Sequence, residues 1–245
     1  MRVNSTDLQN SFGKYLSLVE KEDIIVVRNG KTVAKLIHYT EAQDFLVHEK
    51  SEGYRATRKI SYEEYMSLVE SSEQRYELID GEVYLLASPG YRHQVLVNEI
   101  SWQFSNYFKD KSCRPLTAPL DVKLSGYALE FEEDPNVVQP DLFVICDQEN
   151  INEKEDKYEG VPALVVEVLS PATRSRDLVI KLHLYMKSGV GEYWVVDPEK
   201  KIVFQYIFSE GRELKQKEIF SEGEIIKSAE FPELRIKLKD VFKEI

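Results

Sequence analysis

Long apolar runs are missing from this sequence of 245 residues, and so is an apolar leader. No stretch approaches the roughly 18 uninterrupted apolar residues that a membrane-spanning helix needs. The opening residues 1–5, MRVNS, contain no apolar signal region. We therefore expect a cytoplasmic protein without a membrane-spanning segment.

Cysteine and histidine are also scarce, at two and four residues. Cys113 and Cys146 are too few for a disulfide framework, and Cys146 ends an apolar run typical of a strand. We expect both to be reduced structural thiols. The Cys and His spacing also gives no zinc site.

A basic excess is absent too, because the formal net charge is -11. The first fifty residues hold seven basic and seven acidic side chains, so residues 51–245 carry the whole acidic excess. Affinity for nucleic acid rests mainly on neutralising phosphates, which weighs against a simple DNA-coating role. The 42% of hydrophobic residues is nevertheless enough to build a core.

The first forty residues have the pattern of a small βαββ unit. Residues 1–4 predict a strand, Ser5 or Thr6 can cap a helix that runs to Val19, and residues 24–27 and 32–37 predict a hairpin turning at Asn29-Gly30. So few elements bury too little surface to be stable alone. We therefore expect this unit to be stabilised by dimerisation.

This segment resembles the N-terminal domain of the Phd/YefM antitoxin family. The features that carry the resemblance are Val3-Asn4, the helix from Leu8 to Val19, and a hairpin with Arg28, Gly30, Lys31, Val33 and Ala34. The resemblance implies a homodimer that binds operator DNA, with Arg2, Arg28 and Lys31 as the candidate contacts. The alternative is that these three are solvated charges at strand ends and at a hairpin tip.

The polar, glycine-containing run at residues 48–53 predicts a linker. We therefore expect two domains, 1–48 and 58–245. The antitoxin family's toxin-neutralising tail is absent, and the larger domain stands in its place.

The larger domain alternates helical and strand patterns. A capping box at Ser61 begins one helix, and Asp80-Gly81 forms the turn of a hairpin. His93 lies on a long amphipathic helix, on the same face as Ile100 and Phe104. Strands flanked by helices predict an α+β or α/β fold with a mixed sheet.

Three charged residues interrupt patterns that are otherwise apolar. Asp141 opens the run LFVI, and Glu167 interrupts the run ALVVEVL, so two predicted strands each carry an acid. Lys181 falls on the same helical stripe as Leu178 and Tyr185. Burying any of these charges alone would cost several kcal/mol, on the order expected for ions in a low dielectric. Two acids that hold a divalent metal, with an ammonium directed at the same point, would offset that cost.

Residues of the larger domain resemble the Uma-two family of the PD-(D/E)XK superfamily, over about residues 58–210. The strings that carry the resemblance are YELIDGEVYLLASP, VVQPDLFVICD and GVPALVVEVLSPATRSRDLVIKLHLYMKSGVGEYWVVDP. The resemblance implies a restriction-endonuclease-like fold and a Mg²⁺- or Mn²⁺-dependent site made by Asp141, Glu167 and Lys181. The superfamily usually places the lysine two residues after the second acid, where this chain has Leu169. Lys181, on the following helix, fits as the replacement.

The chemistry of phosphodiester hydrolysis assigns roles to these residues. Asp141 and Glu167 would be metal ligands together with the backbone carbonyl of Val168, and Lys181 would orient water or screen the phosphate. Glu77 is a further candidate ligand, and His93 a candidate phosphate contact.

Each assignment has a structural alternative. Asp141 can simply follow a turn at Pro140, Lys181 can extend past Tyr185 to solvent, and the two acids can pair with Arg174 or Arg176.

The sequence therefore predicts a metal-dependent endonuclease acting on DNA, joined to an antitoxin-like dimerisation module. One alternative is a DNA-binding regulator, or antitoxin-like protein, whose nuclease fold is inactive. Another is a toxin-like enzyme restrained by its own N-terminal module.

Overall fold

The computed structural model describes residues 1–19, 24–28, 30–36, 59–126, 128, 130–171 and 173–245. The predicted linker at 48–53, the boundary between 48 and 58, and Asn29 of the predicted turn lie outside these residues. The chain divides into two compact units, Met1–Ala56 and Thr57–Ile245.

The first unit has the predicted βαββ order, with its helical part in two pieces. Its elements are β1 (Arg2–Asn4), α1 (Ser5–Asn10), α2 (Phe12–Val19), β2 (Ile24–Arg28) and β3 (Lys31–Leu36). β1 pairs parallel to β2, and β2 pairs antiparallel to β3. Val3, Val19, Ile24 and Val26 form the buried centre.

The cap of the first helix differs from the prediction. The side chain of Asn4, rather than Ser5 or Thr6, accepts the hydrogen bond from the backbone N–H of Thr6, at 3.2 Å. Asn4 ends a strand in an extended conformation, which is the backbone geometry an N-cap needs.

The second unit is a mixed α+β structure, and this part of the predicted fold class is confirmed. Its helices are α3 (Tyr62–Glu70), α4 (Tyr91–Phe108), α5 (Leu182–Ser188) and α6 (Leu238–Val241), with a π-helix (Arg176–Lys181) leading into α5 and 3₁₀ turns at Phe131–Glu133 and Gln148–Asn150. Its strands are β4 (Tyr76–Ile79), β5 (Glu82–Leu85), β6 (Arg114–Thr117), β7 (Val122–Leu124), β8 (Asn136–Val138), β9 (Leu142–Ile145), β10 (Ile151–Asn152), β11 (Lys157–Tyr158), β12 (Leu164–Val168), β13 (Glu192–Asp197), β14 (Ile202–Phe208), β15 (Leu214–Ser221), β16 (Ile225–Lys227) and β17 (Arg235–Lys237).

The strands of this unit form two six-stranded sheets and a small hairpin sheet. The central sheet has the order β15-β14-β13-β12-β9-β6, the second sheet has the order β10-β11-β7-β8-β4-β5, and β16 pairs with β17. In the central sheet β12 and β13 are parallel, whereas the other neighbours are antiparallel. Every residue of β12 is buried, as expected for a central strand covered on both faces.

Alternation along β12 assigns its side chains to two cores. Val166 packs with Ile100 and Phe104 of α4, whereas Val165 packs with Tyr185 of α5. Because neighbouring residues of a strand point to opposite faces, Glu167 shares the face of Val165 and is covered by the helix that follows β12.

Glu192, at the start of β13, ties the β16–β17 hairpin to the central sheet. Its fully buried carboxylate accepts hydrogen bonds from the side chains of Trp194 and Gln205, both at 2.5 Å, and of Ser228, at 2.6 Å. The backbone N–H groups of Ala229 and Glu230 donate to it as well, at 2.9 and 3.1 Å. Five donors therefore satisfy one buried charge.

Cys113 and Cys146 are bonded as a disulfide, so the prediction of two reduced thiols is wrong for this structure. β6 pairs antiparallel with β9 in a register that joins Arg114 to Ile145. The next pair in that register is Cys113 and Cys146, with their Cα atoms 4.1 Å apart. Strand register, which local sequence does not reveal, brings the two sulfur atoms together.

Among the helices that the structure describes, none combines the length and the apolar character needed to cross a membrane.

Candidate active site

Asp141 and Glu167 lie on neighbouring strands of the central sheet. β9 and β12 are antiparallel, with Leu142 opposite Val166. Extending that register by one residue places Asp141 opposite Glu167. The Asp141 side chain contacts β12 directly at this point, since its Oδ2 atom accepts a hydrogen bond from the backbone N–H of Val168 at 2.8 Å.

Lys181 reaches the same place from the end of the π-helix. Its Nζ atom lies 2.7 Å from Glu167 Oε1, 2.8 Å from Glu77 Oε1 and 3.9 Å from Asp177 Oδ1. Its side chain is 3% exposed, so it does not extend to solvent past Tyr185. A π-helical turn shifts the register of the side chains after it, and such turns are frequent at functional sites.

Burial and neighbouring charges set the titration of this cluster. Burial raises the pKa of Glu167 well above its usual range; the Lys181 ammonium opposes this, while Asp141, Asp177 and Glu77 raise it further. Burial alone would lower the pKa of Lys181, but Glu167, Glu77 and Asp177 together raise it above its ordinary value. The lysine is therefore a fixed positive charge among buried acids.

Tyr185 and Asp177 are members of the cluster that sequence reasoning missed. The Tyr185 hydroxyl donates to Glu167 Oε1 at 2.8 Å. Asp177 is buried beside Lys181. The available signal was its spacing, since an acid four residues before a lysine lies on the same helical face.

We expect Asp177→Asn to change how stability depends on pH. Burial raises the pKa of Asp177 from 3.8 to about 6, although Lys181 and a hydrogen bond from the Thr173 side chain oppose the shift. A carboxyl with a raised pKa stabilises the fold most below about pH 4, and that contribution is lost as the pH rises to about 6. Without this group, the stability of the variant relative to wild type should increase across that interval.

Denaturant unfolding of both proteins at about pH 4 and about pH 7 measures this difference. A stability difference that stays constant, or that changes in the opposite direction, would contradict the assignment.

Glu77, the further candidate ligand, lies in the cluster and comes from β4 of the second sheet. Its Oε1 atom accepts from the backbone N–H of Gln139 at 3.0 Å and faces Lys181. Among the residues that the structure describes, its Oε2 atom has no hydrogen-bond partner; it is buried 3.7 Å from Nη1 of Arg176. The Nε atom of Arg176 is also buried and has no hydrogen-bond partner in the described part of the chain, and the guanidinium lies over the ring of Tyr84.

His93, on the first turn of α4, contacts an acid of the cluster. Its Nε2 atom lies 3.0 Å from Asp141 Oδ2, and its buried Nδ1 atom has no hydrogen-bond partner within the described ranges. No phosphate contact is shown, so that role stays a prediction.

The structure also places the remaining candidates. Arg174 pairs with Asp197 at 2.9 Å rather than with Asp141 or Glu167. Arg2, Arg28 and Lys31 are exposed residues of the first unit, as the solvated-charge alternative requires, and their contact with DNA stays a prediction.

The chemistry of the cluster fits a hard divalent cation. Asp141 and Glu167 supply carboxylate oxygens, the ligand type that Mg²⁺ prefers, and the unpartnered Oε2 of Glu77 is a further buried oxygen. In the described part of the chain, however, no three His, Cys, Asp or Glu side chains are grouped as a metal centre would group them. Mg²⁺ commonly takes one or two carboxylates and completes its shell with water, so two acids are a sufficient protein contribution.

Comparison with known proteins identifies the family. The family model Uma2, described as "Putative restriction endonuclease", matches residues 62–239, which is well over half of the chain. The chain belongs to the Uma2 family. This match begins after the first unit, so the likeness of that unit to Phd/YefM antitoxins stays a prediction.

Two individual proteins are similar to this Uma2 chain. "Uncharacterized protein slr1290" of Synechocystis sp. (strain ATCC 27184 / PCC 6803 / Kazusa) is 30% identical over 127 residues, which cover 52% of this chain and 62% of that protein. A crystal structure from Anabaena variabilis ATCC 29413, titled as "a putative nuclease belonging to DUF820", superposes with a TM-score of 0.60 at 21% identity. The superposition covers 75% of this chain and 98% of the Anabaena chain, so the two proteins share a fold.

Proposed function

We propose that this Uma2 protein is a metal-dependent endonuclease that hydrolyses phosphodiester bonds of DNA. The observation that carries the proposal is the cluster in which Lys181 bridges Glu167 and Glu77 beside Asp141. Buried ionisable groups with strongly shifted pKa values concentrate at functional sites. Family membership supports the same reaction class.

The exposure of the cluster supports substrate entry from the side of Asp141 and His93. The side chains of Asp141 and His93 are 19% and 13% exposed, whereas those of Lys181 and Glu167 are 3% and 4% exposed. A phosphate group therefore meets Asp141 and His93 first, with the lysine behind them.

Asp141, Glu167 and the Val168 carbonyl would hold a Mg²⁺ or Mn²⁺ ion, with Glu77 as an additional oxygen. When bound, the ion would supply Lewis acidity toward the phosphoryl oxygens and a more acidic water. Lys181 would place a fixed positive charge near the developing negative charge. His93 keeps the Asp141 carboxylate oriented through Nε2.

Arg176 is the second cation of the site, and its hydrogen-bonding capacity is incompletely used. Its buried Nε–H has no hydrogen-bond partner among the described residues, and its Nη1 atom lies 3.7 Å from Glu77 Oε2, which is too far for a hydrogen bond. A guanidinium binds phosphate oxygens through several N–H groups at once. We assign Arg176 to a non-bridging oxygen of the bound phosphate.

Cleavage of plasmid DNA in Mg²⁺ or Mn²⁺ tests the proposal. We expect Asp141→Asn to slow cleavage by about 1000-fold, because a bound cation contributes several kcal/mol to transition-state stabilisation. The asparagine retains an acceptor for the Val168 N–H, so the fold should persist. Glu210→Gln, which changes an exposed acid, is the matched control. Equal cleavage by wild type and Asp141→Asn would remove the nuclease proposal.

We further propose that the first unit makes the protein a homodimer. Phe12 and Leu16 on α2 and Val33 on β3 are large apolar side chains that are about half exposed. Such side chains on a unit with a small core support burial against a second copy. Sedimentation should show a dimer for wild type and weaker association for Phe12→Ser/Leu16→Ser; identical sedimentation would refute the proposal.

A further inference from the structure

Tyr185 makes a polar contact in the candidate site to which the proposed reaction gives no role. The side chain lies on α5, four residues after Lys181, and is fully buried. Its ring packs edge-on against the ring of Tyr193 on β13, with the centroids 4.9 Å apart. Its hydroxyl donates to Glu167 Oε1 at 2.8 Å. Because the ring is held by packing, the direction of this hydrogen bond is fixed.

Within the described residues, the Glu167 carboxylate accepts hydrogen bonds at one of its two oxygens. Lys181 Nζ, at 2.7 Å, and the Tyr185 hydroxyl both donate to Oε1. A carboxylate oxygen has two lone pairs, so these two donors use the accepting capacity of Oε1. Oε2 is therefore the oxygen of Glu167 that is left for a cation.

The Asp141 carboxylate is held in the same way. Its Oδ2 atom accepts from the backbone N–H of Val168 and lies 3.0 Å from His93 Nε2, and the contacts of this side chain with the described residues include none at Oδ1. Each of the two candidate ligands thus presents one free oxygen. This arrangement suits a cation that takes a single oxygen from each carboxylate.

Lys181 by itself does not hold the Glu167 carboxylate in one orientation. Its ammonium also lies 2.8 Å from Glu77 Oε1, and it is a point charge on a flexible stem whose donors rotate. The Tyr185 hydroxyl adds a second, directional hydrogen bond to the oxygen that Lys181 contacts. Without that hydroxyl, one lone pair of Oε1 becomes free, and Glu167 can offer both oxygens to a cation.

We propose that Tyr185 is a positioning residue that makes Glu167 a one-oxygen ligand and thereby favours Mg²⁺ and Mn²⁺ over Ca²⁺. This proposal rests on the metal-dependent function proposed above and concerns the selection of its cation. Mg²⁺ requires a near-ideal octahedral shell, whereas Ca²⁺ takes about six to eight oxygens in a flexible shell and accepts both oxygens of one carboxylate. Removing a group that orients a metal ligand commonly weakens metal binding by about 10- to 100-fold.

The structural alternative is that the Tyr185 hydroxyl only satisfies its own need for an acceptor, as any buried tyrosine does. Tyr193 offers a matched control, because it is a buried neighbour whose hydroxyl donates to the backbone carbonyl of Asp177 at 3.0 Å. Tyr193→Phe removes the same atom as Tyr185→Phe but breaks no hydrogen bond to Asp141 or Glu167. The two explanations therefore predict different ion binding for the two variants.

Ion binding measured without nucleic acid tests the proposal separately from cleavage. Electron paramagnetic resonance of free Mn²⁺ at a fixed pH measures the Mn²⁺ affinity, and displacement of bound Mn²⁺ measures the affinities for Mg²⁺ and Ca²⁺. The binding that Asp141→Asn loses defines the site, as opposed to ions held elsewhere on this acidic protein. We expect Tyr185→Phe to bind Mn²⁺ and Mg²⁺ about 10-fold more weakly, or weaker still. Its Ca²⁺ affinity should fall by a smaller factor.

The ratio of the Mg²⁺ affinity to the Ca²⁺ affinity is the decisive readout. Because both ions are measured on the same sample, an unfolded fraction lowers both apparent affinities alike and leaves their ratio unchanged. The ratio should fall in Tyr185→Phe, since a freed Glu167 oxygen completes the larger Ca²⁺ shell. Tyr193→Phe should keep the wild-type ratio and the wild-type Mn²⁺ affinity.

Unchanged Mn²⁺ affinity in Tyr185→Phe would overturn the proposal, as would equal changes in Tyr185→Phe and Tyr193→Phe. Loss of Mg²⁺ and Ca²⁺ affinity by the same factor would also overturn it, in favour of a merely structural hydroxyl. Mn²⁺ binding by wild type that equals that of Asp141→Asn would overturn it as well.

The outcome also separates this proposal from the nuclease function. If ion binding follows the expected pattern but wild type cleaves no nucleic acid, the role of Tyr185 stands and the nuclease proposal fails. If cleavage depends on Asp141 while Tyr185→Phe binds all three ions as wild type does, the nuclease proposal stands and the role of Tyr185 fails.

Discussion

Replacing Lys181 by methionine should lower the free energy of unfolding by about 3–5 kcal/mol at pH 8. Methionine keeps much of the side-chain volume but removes the ammonium that Glu167, Glu77 and Asp177 face. Three buried carboxylates would then be left without their shared counter-ion. Breaking a buried charge network by removing one member is among the most destabilising of substitutions.

The deficit of this variant should shrink as the pH falls. Burial already raises the pKa of Glu167 well above its usual range with the lysine present, and loss of the positive charge must raise it further. A carboxyl with a raised folded-state pKa favours the folded protein at low pH and loses that contribution as the pH increases. Denaturant unfolding at about pH 8 and about pH 5 should therefore give a smaller difference from wild type at the lower pH.

Two further variants distinguish the loss of the Lys181 counter-ion from an unspecific loss of stability. Lys200→Met removes an exposed lysine and should change stability by less than about 0.5 kcal/mol. Adding Glu167→Gln to Lys181→Met should restore part of the loss, because one unpaired charge disappears. A Lys181→Met protein with wild-type stability at pH 8 would mean that the acids are not held by this lysine. Cleavage should be absent from the variant at any pH at which it is folded.

Glu192→Gln should also destabilise the protein, by about 3 kcal/mol or more. Five donors point at the Glu192 carboxylate, and it is an acceptor at both oxygens. A glutamine amide must turn its own NH₂ group either toward the Trp194 N–H or toward the backbone N–H groups of Ala229 and Glu230. In both orientations, buried donors face a donor and lose their partner.

Thermal or denaturant unfolding of Glu192→Gln beside Glu218→Gln measures this effect. Glu218 is exposed on β15 and accepts from the Gln216 side chain, so its substitution changes the same atoms without burial. Equal stability of the two variants would show that the hydrogen bonds to Glu192 contribute little. Cleavage per folded molecule should be unchanged in both, since neither residue belongs to the candidate site.

Much of the local structure follows from short sequence signals. The capping box at Ser61 begins α3, as predicted, and Asp80-Gly81 connects β4 to β5. Gly189 ends α5 in a left-handed conformation with φ of 90°. These features depend on residues within a few positions of one another, so propensity and turn chemistry are sufficient to find them.

The candidate site was predictable only in part. Asp141, Glu167 and Lys181 are visible in the sequence because a charge in an apolar pattern is costly and needs a partner. Asp177 lies four residues before Lys181, a spacing that indicates a shared helical face but does not show that Asp177 is buried. A π-helical turn, rather than the continuous α-helix expected, sets that orientation.

By itself, the sequence determined the kinds of element, the acids and the lysine that require explanation, and the family to which the chain belongs. Tertiary structure decided which charges meet. Glu77 reaches Lys181 from the second sheet, Arg174 pairs with Asp197, and Cys113 bonds to Cys146. The physical reason is that such contacts depend on strand register and on the packing of sheets, whose energies are summed over many residues distant along the chain.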